Sequence, residues 1–374
     1  MDIPFFKTLP RGPLALFKKK DSSVVGIDFG SASLKMVQLK KVKERAVLET
    51  YGELSLGPYG GVEIGRAARL VDQKAVEMIK DLIKEANITS RHAVVSIPLR
   101  SSFITLAAFP AMSDKDLDEA IPFEARRYIP VPLSEVLMDW WILPQGISGE
   151  AGKEEGFAKE KKFSEVLLVA IHRDVVEKYQ NILKEAGIEA MSFEIEAFSQ
   201  VRSLLSREVA PVLIVDLGAS SAKVTLVDYG IVRLSHNIDR GFQDLTHALS
   251  RAMGVDFERA EKLKRDTGLS DRPEHREIVL VIKPLLEYIF SEGLKVVTEH
   301  RRRTNHSIKR VILTGGGANL KKILEFSINK FGVETRLANP FGKVQYPAFL
   351  EPILKELGPS FSTALGLGLR ELQE

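Results

Sequence analysis

From Val24 onward the chain alternates between short apolar runs and stretches broken by glycine, proline or charge. "VVGIDF" predicts a buried strand, "SLKMVQLKKV" alternates as a second, and "RAVLETYGELSL" continues the meander. Over 71–86 the period becomes helical, with Val71, Ala75, Met78, Ile79, Leu82 and Ile83 on one face. At His92 the texture changes. "HAVVSIP" and "SSFITLAAF" predict two strands, and Ser113 with Asp116 is a capping signal for a helix through Arg127. "YIPVPLSEV" is a proline-punctuated loop, because proline cannot continue a helix ladder. "LMDWWIL" and "SEVLLVAI" are strands, separated by the charged, glycine-rich "GISGEAGKEEGFAKEKK". A helix over 174–186 ends at Gly187, a good cap residue. These features make residues 90–189 a small α+β insert.

A new buried strand, "PVLIVDLG", opens at Pro211, and "SAKVTLVDYGIVRLSHNI" predicts strands around a Tyr-Gly turn. Helical patterning runs from Phe242 to about Arg303. The chain closes with strand "RVILTGG", helix "ANLKKILEFSIN", strand "ETRLA" and helix "SFSTALGLGLREL".

Composition narrows the classes. The chain has 374 residues, enough for two domains of ordinary size, and its 28% charged and 44% hydrophobic residues describe an ordered globular protein. A net charge of +3 makes no demand for a nucleic-acid partner. The absence of cysteine excludes disulfides, thiol catalysis and cysteine-bound metal. The seven histidines include no HExxH pair. No apolar run reaches the ~18 residues that span a bilayer. The leader, 1–23, is apolar and basic, but prolines interrupt it and its lysines follow the apolar part, the reverse of a signal peptide. It reads either as a frayed end or as a weak membrane-surface or partner contact.

One stretch repeats. "DFGSASLKMVQL" at Asp28 and "DLGASSAKVTLV" at Asp216 share Asp, Gly, Ser and Lys at identical offsets: Asp28/Asp216, Gly30/Gly218, Ser33/Ser221 and Lys35/Lys223. A hairpin duplicated half a chain apart predicts two similar halves facing each other. Its chemistry suits phosphate. A carboxylate at a strand end can hold a hydrated divalent cation, glycine lets backbone approach an anion, and N–H groups, serine hydroxyls and lysine supply donors. A single D-x-G is equally a tight turn; the pair carries the inference. "VILTGGGANLKKILEF" adds a strand, three glycines and then a predicted helix, whose open N-terminus would favour an anion or a close-packed nucleotide. The alternative is a helix entry with glycines chosen for packing.

The two hairpins and "TGGGANL" together resemble the two phosphate motifs and the adenosine motif of the actin-like ATPase superfamily, from Val24 to Leu372. The resemblance implies an α/β, ribonuclease H-like duplicated, two-lobed fold that binds ATP and Mg²⁺ between its lobes. Asp28 and Asp216 then match the metal-holding acidic positions. Gly30, Ser31, Ala32, Ser33, Lys35, Gly218, Ala219, Ser220, Ser221 and Lys223 match the phosphate contacts. Gly315, Gly316, Gly317 and Asn319 match the adenosine contacts. Glu196 in "FEIEAFSQVRSLL" sits where relatives place the acid that orients attacking water; a helix-start carboxylate is the other reading. Glu261 and Lys264 in "RAEKLK" match a pair that reaches ribose and adenine, or form a surface ion pair. In "IDRGFQDLTHAL", Arg240-Gly241 stands where relatives carry Gly-Gly, leaving Gly241 as the contact.

The insert position is similar to that of the FtsA-like branch. "EARRYIPVPLSEVLMDWWIL", the start "LFKKKDSSVVGIDFG" and the end "FSTALGLGLRE" resemble the PilM family of type IV pilus assembly. That resemblance implies a cytoplasmic protein at the inner face of the inner membrane. It also implies slow hydrolysis at most, and a groove beside the insert for the N-terminal peptide of a PilN-like membrane protein; self-association stays open. The implied division is 24–89 and the connecting helix 190–210 in the first lobe, with 90–189 inserted. The second lobe takes 211–234, a helical unit 235–304, and 305–374. The competing reading within the superfamily is a filament-forming cytoskeletal ATPase or a phosphotransferase. A protein kinase is excluded because "DFG" precedes "IHRD", the reverse of the kinase order, and no P-loop occurs. "EHRRRT" reads as cations in a last helical turn.

Overall fold

The structure is a computed structural model that describes residues 23–110, 112–143, 163–206 and 208–372. The leader up to 22 and the charged stretch 146–162 lie outside the described residues.

Strands β1 (Ser23–Phe29), β2 (Ser33–Val42) and β3 (Arg45–Ser55) form an antiparallel meander. A short helix α1 (Gly57–Gly60) and α2 (Asp72–Glu85) lead to β4 (His92–Ile97), which lies parallel to β1. A separate three-stranded sheet follows, made of β5 (Ser102–Pro110), β6 (Val136–Ile142) and β7 (Phe163–His172), with α3 (Asp114–Glu124) between β5 and β6. Helix α4 (Arg173–Glu185) then returns the chain to β8 (Glu189–Ile195), giving a first sheet of order β3-β2-β1-β4-β8.

Helix α5 (Glu196–Leu204) crosses to the second half. There β9 (Val212–Leu217), β10 (Ala222–Asp228) and β11 (Ile231–Ile238) repeat the meander, followed by α6 (Phe242–Met253), α7 (Phe257–Thr267) and the long α8 (Arg276–Thr304). Strand β12 (Arg310–Thr314), helix α9 (Ile323–Phe331) and β13 (Glu334–Leu337) complete a sheet of order β11-β10-β9-β12-β13. The two orders are identical, third-second-first-fourth-fifth. The sequence repeat is therefore a repeat of topology.

Four expectations need correction. The insert is shorter than 90–189, because β4 and α4 belong to the first lobe; only 102–172 forms the added sheet and its helix. "HAVVSI" gave no sign of this, since Ala93, Val94, Val95 and Ile97 are all buried, as a central parallel strand requires. Residues 190–195 are strand, and the connecting helix begins only at Glu196. After the three glycines comes a 3-10 turn over Gly316–Asn319, and α9 starts at Ile323, so no α-helix N-terminus opens at the glycines. Finally, the C-terminal segment does not stay with the second lobe. Phe341, Leu354 and Phe361 pack with Val37, Leu39 and Leu48 of the first sheet, and Gln345 exchanges backbone hydrogen bonds with Ala46 and Leu48.

The last two helices, α10 (Glu351–Leu357) and α11 (Ser362–Leu372), complete this return. Helix α11 lies directly on β1 and α5. A Cβ on Gly26 would sit 1.9 Å from Ala364 O, and one on Gly366 would sit 1.9 Å from Ser199 O. Side chains at either place would push the helix off the sheet. A smaller correction falls on α2: Val71 precedes the helix and is exposed, while Val76 takes the buried position beside Ile79 and Ile83.

Strand β7 is buried on both faces and joins the insert to the body. Val166, Leu168 and Ala170 face Leu117, Ile121 and Ile129 in the insert core, whereas Leu167, Val169 and Ile171 join the core of the first lobe. This period of two lets one strand serve two cores.

Candidate functional site

The two repeated hairpins face each other across a cleft of about 620 Å³, within the range of small-molecule sites. In each, the strand-end acid is cross-strand partner of the lysine, Asp28 opposite Lys35 and Asp216 opposite Lys223. In each, a Cβ on the glycine would lie 2.7 Å from a serine carbonyl of its own turn, Gly30 against Ser33 and Gly218 against Ser221. The backbone there is tight enough that only glycine fits.

The cleft is lined by Asp28, Gly30, Ser31, Ala32, Ser33 and Lys35 from the first hairpin, and by Asp216, Gly218, Ala219, Ser221 and Lys223 from the second. Glu196, Glu261, Lys264, Gly315, Gly316, Gly317 and Asn319 complete the predicted set on its wall. Ser220 and Gly241 stand behind the lining. The Ser220 N–H donates to Ser31 Oγ (3.2 Å) and ties the two turns together. Gly241 lies against the second turn, where a Cβ would sit 2.2 Å from Ala219 O. The glycine after β12 is also forced, since Gly315 has φ +81° and a Cβ there would lie 2.3 Å from Asp216 Oδ1.

The two halves differ in charge pairing. Lys223 donates to Glu196 Oε2 (2.9 Å) and to Asp216 Oδ2 (3.3 Å). Burial works against its charge, but Asp216 and Glu196 outweigh that and hold the ammonium well above its ordinary range. Lys35 instead pairs with Glu53 (3.2 Å) on β3 and donates to Ser33. Asp28 accepts from Ser96 (2.9 Å), and burial pushes its carboxyl up to about 6 despite the nearby Lys35. Asp216 is thus already ion-paired with its lysine, whereas burial of Asp28 outweighs its donors and favours its protonated form.

Glu196, in the first turn of α5, is held at both oxygens: the Leu99 N–H donates to Oε1 (2.7 Å) and Lys223 to Oε2. One turn on, Gln200 Nε2 donates to Asp216 Oδ2 (2.9 Å) and Thr363 Oγ1 (3.2 Å). On the far wall, Glu261 Oε2 accepts from Lys264 (2.6 Å) and Thr246 (2.6 Å), and Oε1 from Arg265 (2.7 Å). Burial opposes the Glu261 charge, but Lys264 and these donors hold its carboxyl below the usual range. The pair is a part-buried network rather than a surface ion pair.

Several lining residues escaped the sequence reading. Gln200 was recoverable, because it follows Glu196 by four on a helix. Glu53 was recoverable as the cross-strand neighbour of Lys35. Thr363, Pro359 and Leu357 were not, because they arrive with the C-terminal segment that crosses back between the lobes.

A solved chain of the "PilM-PilN type IV pilus biogenesis complex" superposes with a TM-score of 0.76 at 24% identity, covering 94% of this chain and 98% of that one. MreB5 of Spiroplasma citri, solved bound to ADP, matches with a TM-score of 0.51 at 12% identity, covering 94% and 97%. The cell division protein FtsA of Rhizobium meliloti is 24% identical over 257 residues, which is 60% of this chain and 56% of that protein. The chain therefore spans little more than half the length of that relative. The family model for type IV pilus assembly protein PilM matches residues 26–372. With its duplicated sheets and facing hairpins, the chain belongs to the PilM family of type IV pilus assembly proteins and has the two-lobed actin-like fold.

Proposed function

We propose that this chain is an ATP- and Mg²⁺-binding scaffold of pilus assembly, working at the cytoplasmic face of the inner membrane. In this reading it receives the N-terminal segment of a PilN-like membrane protein. The observation that carries the nucleotide reading is the pair of hairpins meeting across one cleft, each with a turn glycine whose Cβ would collide with a serine carbonyl of the same turn. The donor set fits Mg-ATP: two carboxylates, two lysines, serine hydroxyls and the glycine-containing turns line the cleft from its two sides. Asp28 is the better metal-holding acid, because Oδ2 of Asp216 already accepts from Gln200 and Lys223. Ser31, Ser33, Gly30 and Gly218 would meet phosphate oxygens, and Glu261 with Lys264 the ribose side. When bound, Mg-ATP supplies a phosphoanhydride and a compact divalent charge. Glu196 would orient water toward it, but both its oxygens are engaged, which suits slow turnover.

The described residues contain no helix long and apolar enough to cross a membrane. Attachment to the membrane is therefore assigned to the partner. For that partner the insert is the proposed receiver. The superposed PilM–PilN chain matches most of this one, and the insert exposes Phe123 and Phe163, 73% and 58% accessible. Isolated apolar side chains are common on surfaces, so the assignment rests on the family.

The test is thermal unfolding with and without nucleotide. A ligand that binds only the native state stabilises it, by about 2.7 kcal/mol at a hundred times Kd. A clear rise in Tm with Mg-ATP, and less with ATP in chelator, is the expected result. An unchanged Tm at saturating Mg-ATP would remove the nucleotide reading.

A further inference from the structure

At the other end of β10 from the cleft, the strand runs out at Asp228, whose side chain is fully buried. Its Oδ2 lies 3.1 Å from His306 Nδ1 and 3.4 Å from His300 Nε2. One ligand atom from each of the three residues falls within 4.8 Å of the others. Asp228 Oδ1 is buried too, and no donor among the described residues reaches it.

Local backbone builds this grouping. His300 lies in the last turns of α8, and Thr304, one turn on, donates to His300 O (2.9 Å) and accepts from the His306 N–H (3.1 Å). Asn305, at φ +59°, turns the chain so that His306 comes back beside Asp228. On the strand side, Tyr229 and Gly230 both take positive φ and fix the turn that follows the carboxylate. The three groups are thus held by a strand end and a helix terminus.

We propose that Asp228, His300 and His306 form a binding site for a divalent transition metal, and that Zn²⁺ is the cation their chemistry suits. Ligand distances of about 2.0–2.2 Å in tetrahedral geometry put neighbouring ligand atoms about 3.3–3.6 Å apart. The two separations from Asp228 Oδ2, 3.1 and 3.4 Å, lie just below and within that range. A hydrogen-bonded His–Asp–His trio has similar spacings, so distance alone does not decide. The second observation is the orphaned Oδ1: the two histidines leave that buried oxygen without a donor, and a divalent charge beside the carboxylate offsets the cost of burying it. Imidazole with carboxylate selects Zn²⁺ over Mg²⁺, which takes oxygen ligands. The His306 side chain is 34% exposed, which gives an entry path and room for an external fourth ligand. The adjoining cations do not compete, since Arg302 and Arg303 are exposed and pair with Glu299.

The test uses the full chain, stripped with chelator and titrated with Zn²⁺ by calorimetry and with Co²⁺ by visible absorption. One Zn²⁺ per chain and the visible bands of tetrahedral Co²⁺ are expected. His306→Ala, at the most accessible ligand, should weaken Zn²⁺ binding roughly ten-fold or more and remove the Co²⁺ bands. Its response to Mg-ATP should match the parent, while its metal-free Tm falls because the buried carboxylate loses a partner, and Asp228→Asn should lose the metal as well. An Asp28→Ala chain should keep Zn²⁺, which separates this site from the cleft. Failure to bind Zn²⁺ at high micromolar metal would overturn the proposal and leave a hydrogen-bonded trio. Equal binding by the parent and His306→Ala would overturn it as well.

Discussion

Glu196 shows how one side chain can be both structural and poised for chemistry. It is the first residue of α5, accepts from the Leu99 N–H and pairs with Lys223. Its neighbour Gln200 reaches Asp216 and Thr363. A group that orients water acts chiefly in the transition state, so its loss lowers turnover more than ground-state affinity. Glu196→Gln keeps the shape and the Leu99 contact and removes the charge. The expected outcome is nucleotide affinity within a few-fold of the parent, measured by calorimetry, with hydrolysis reduced by at least about ten-fold. Loss of affinity instead would show that the carboxylate mainly holds Lys223 in place. The repeated Asp, Gly, Ser and Lys were legible in sequence because symmetry marks them twice. Gly241 and Ser220 were read as contacts but stand one layer back, since spacing along a chain does not tell which side of a turn faces the cleft.

At the scale of elements, alternation and helical period were reliable wherever one face meets solvent, as in β2, α2 and α4. They failed where both faces are buried. Strand β4 looked like part of an insert because no pattern of polar positions ties it to β1, and β8 looked like the start of the connecting helix. The 3-10 turn after β12 looked like a helix because Ala318, Leu320 and Ile323 are apolar and buried in helical-looking order. These boundaries change the test of partner binding. Excising residues 90–189 would remove β4 and α4 of the first lobe, whereas excising 102–172 removes the added sheet and α3 alone. The shorter excision still uncovers the lobe core at Leu167, Val169 and Ile171, so folding must be checked through the Mg-ATP response. A synthetic peptide copying an apolar PilN-like N-terminus should bind the parent with micromolar Kd or better, by fluorescence anisotropy. It should bind equally when 149–160 is deleted and not at all when 102–172 is excised. Binding that survives excision of 102–172 would place the groove elsewhere.

At the scale of the whole molecule, the cleft is where the two repeated lobes bring their charged groups together. The lobes are tied by Ser220 to Ser31, by the Ala67 N–H to Gln243 Oε1 (3.2 Å), and by α11 on β1. Into this junction fold Asp28, Asp216 and Glu196, with Lys223 between the latter two. Burial raises Asp28 from its ordinary 3.8 to about 6, beyond what Lys35 and Ser96 offset. A carboxyl with a raised folded-state pKa binds its proton more tightly in the native protein. Its contribution is therefore favourable below pH 4 and is lost as pH rises through about 6, a cost of about 3 kcal/mol at neutral pH. Asp28→Asn removes that cost while keeping the shape. Without nucleotide or metal, the variant and parent should unfold alike near pH 4, and the variant should be the more stable at pH 7, by up to about 3 kcal/mol in urea denaturation. With Mg-ATP at pH 7 the order should reverse, because the cation favours the ionised carboxylate that asparagine cannot supply. Parent affinity for Mg-ATP should accordingly rise between pH 5 and pH 7, and the variant's should stay nearly flat. Equal apo stability at pH 7 would mean that Asp28 ionises without penalty. A variant that gains as much from Mg-ATP as the parent would move the metal to Asp216, and would leave the asymmetry between the two hairpins a matter of packing alone.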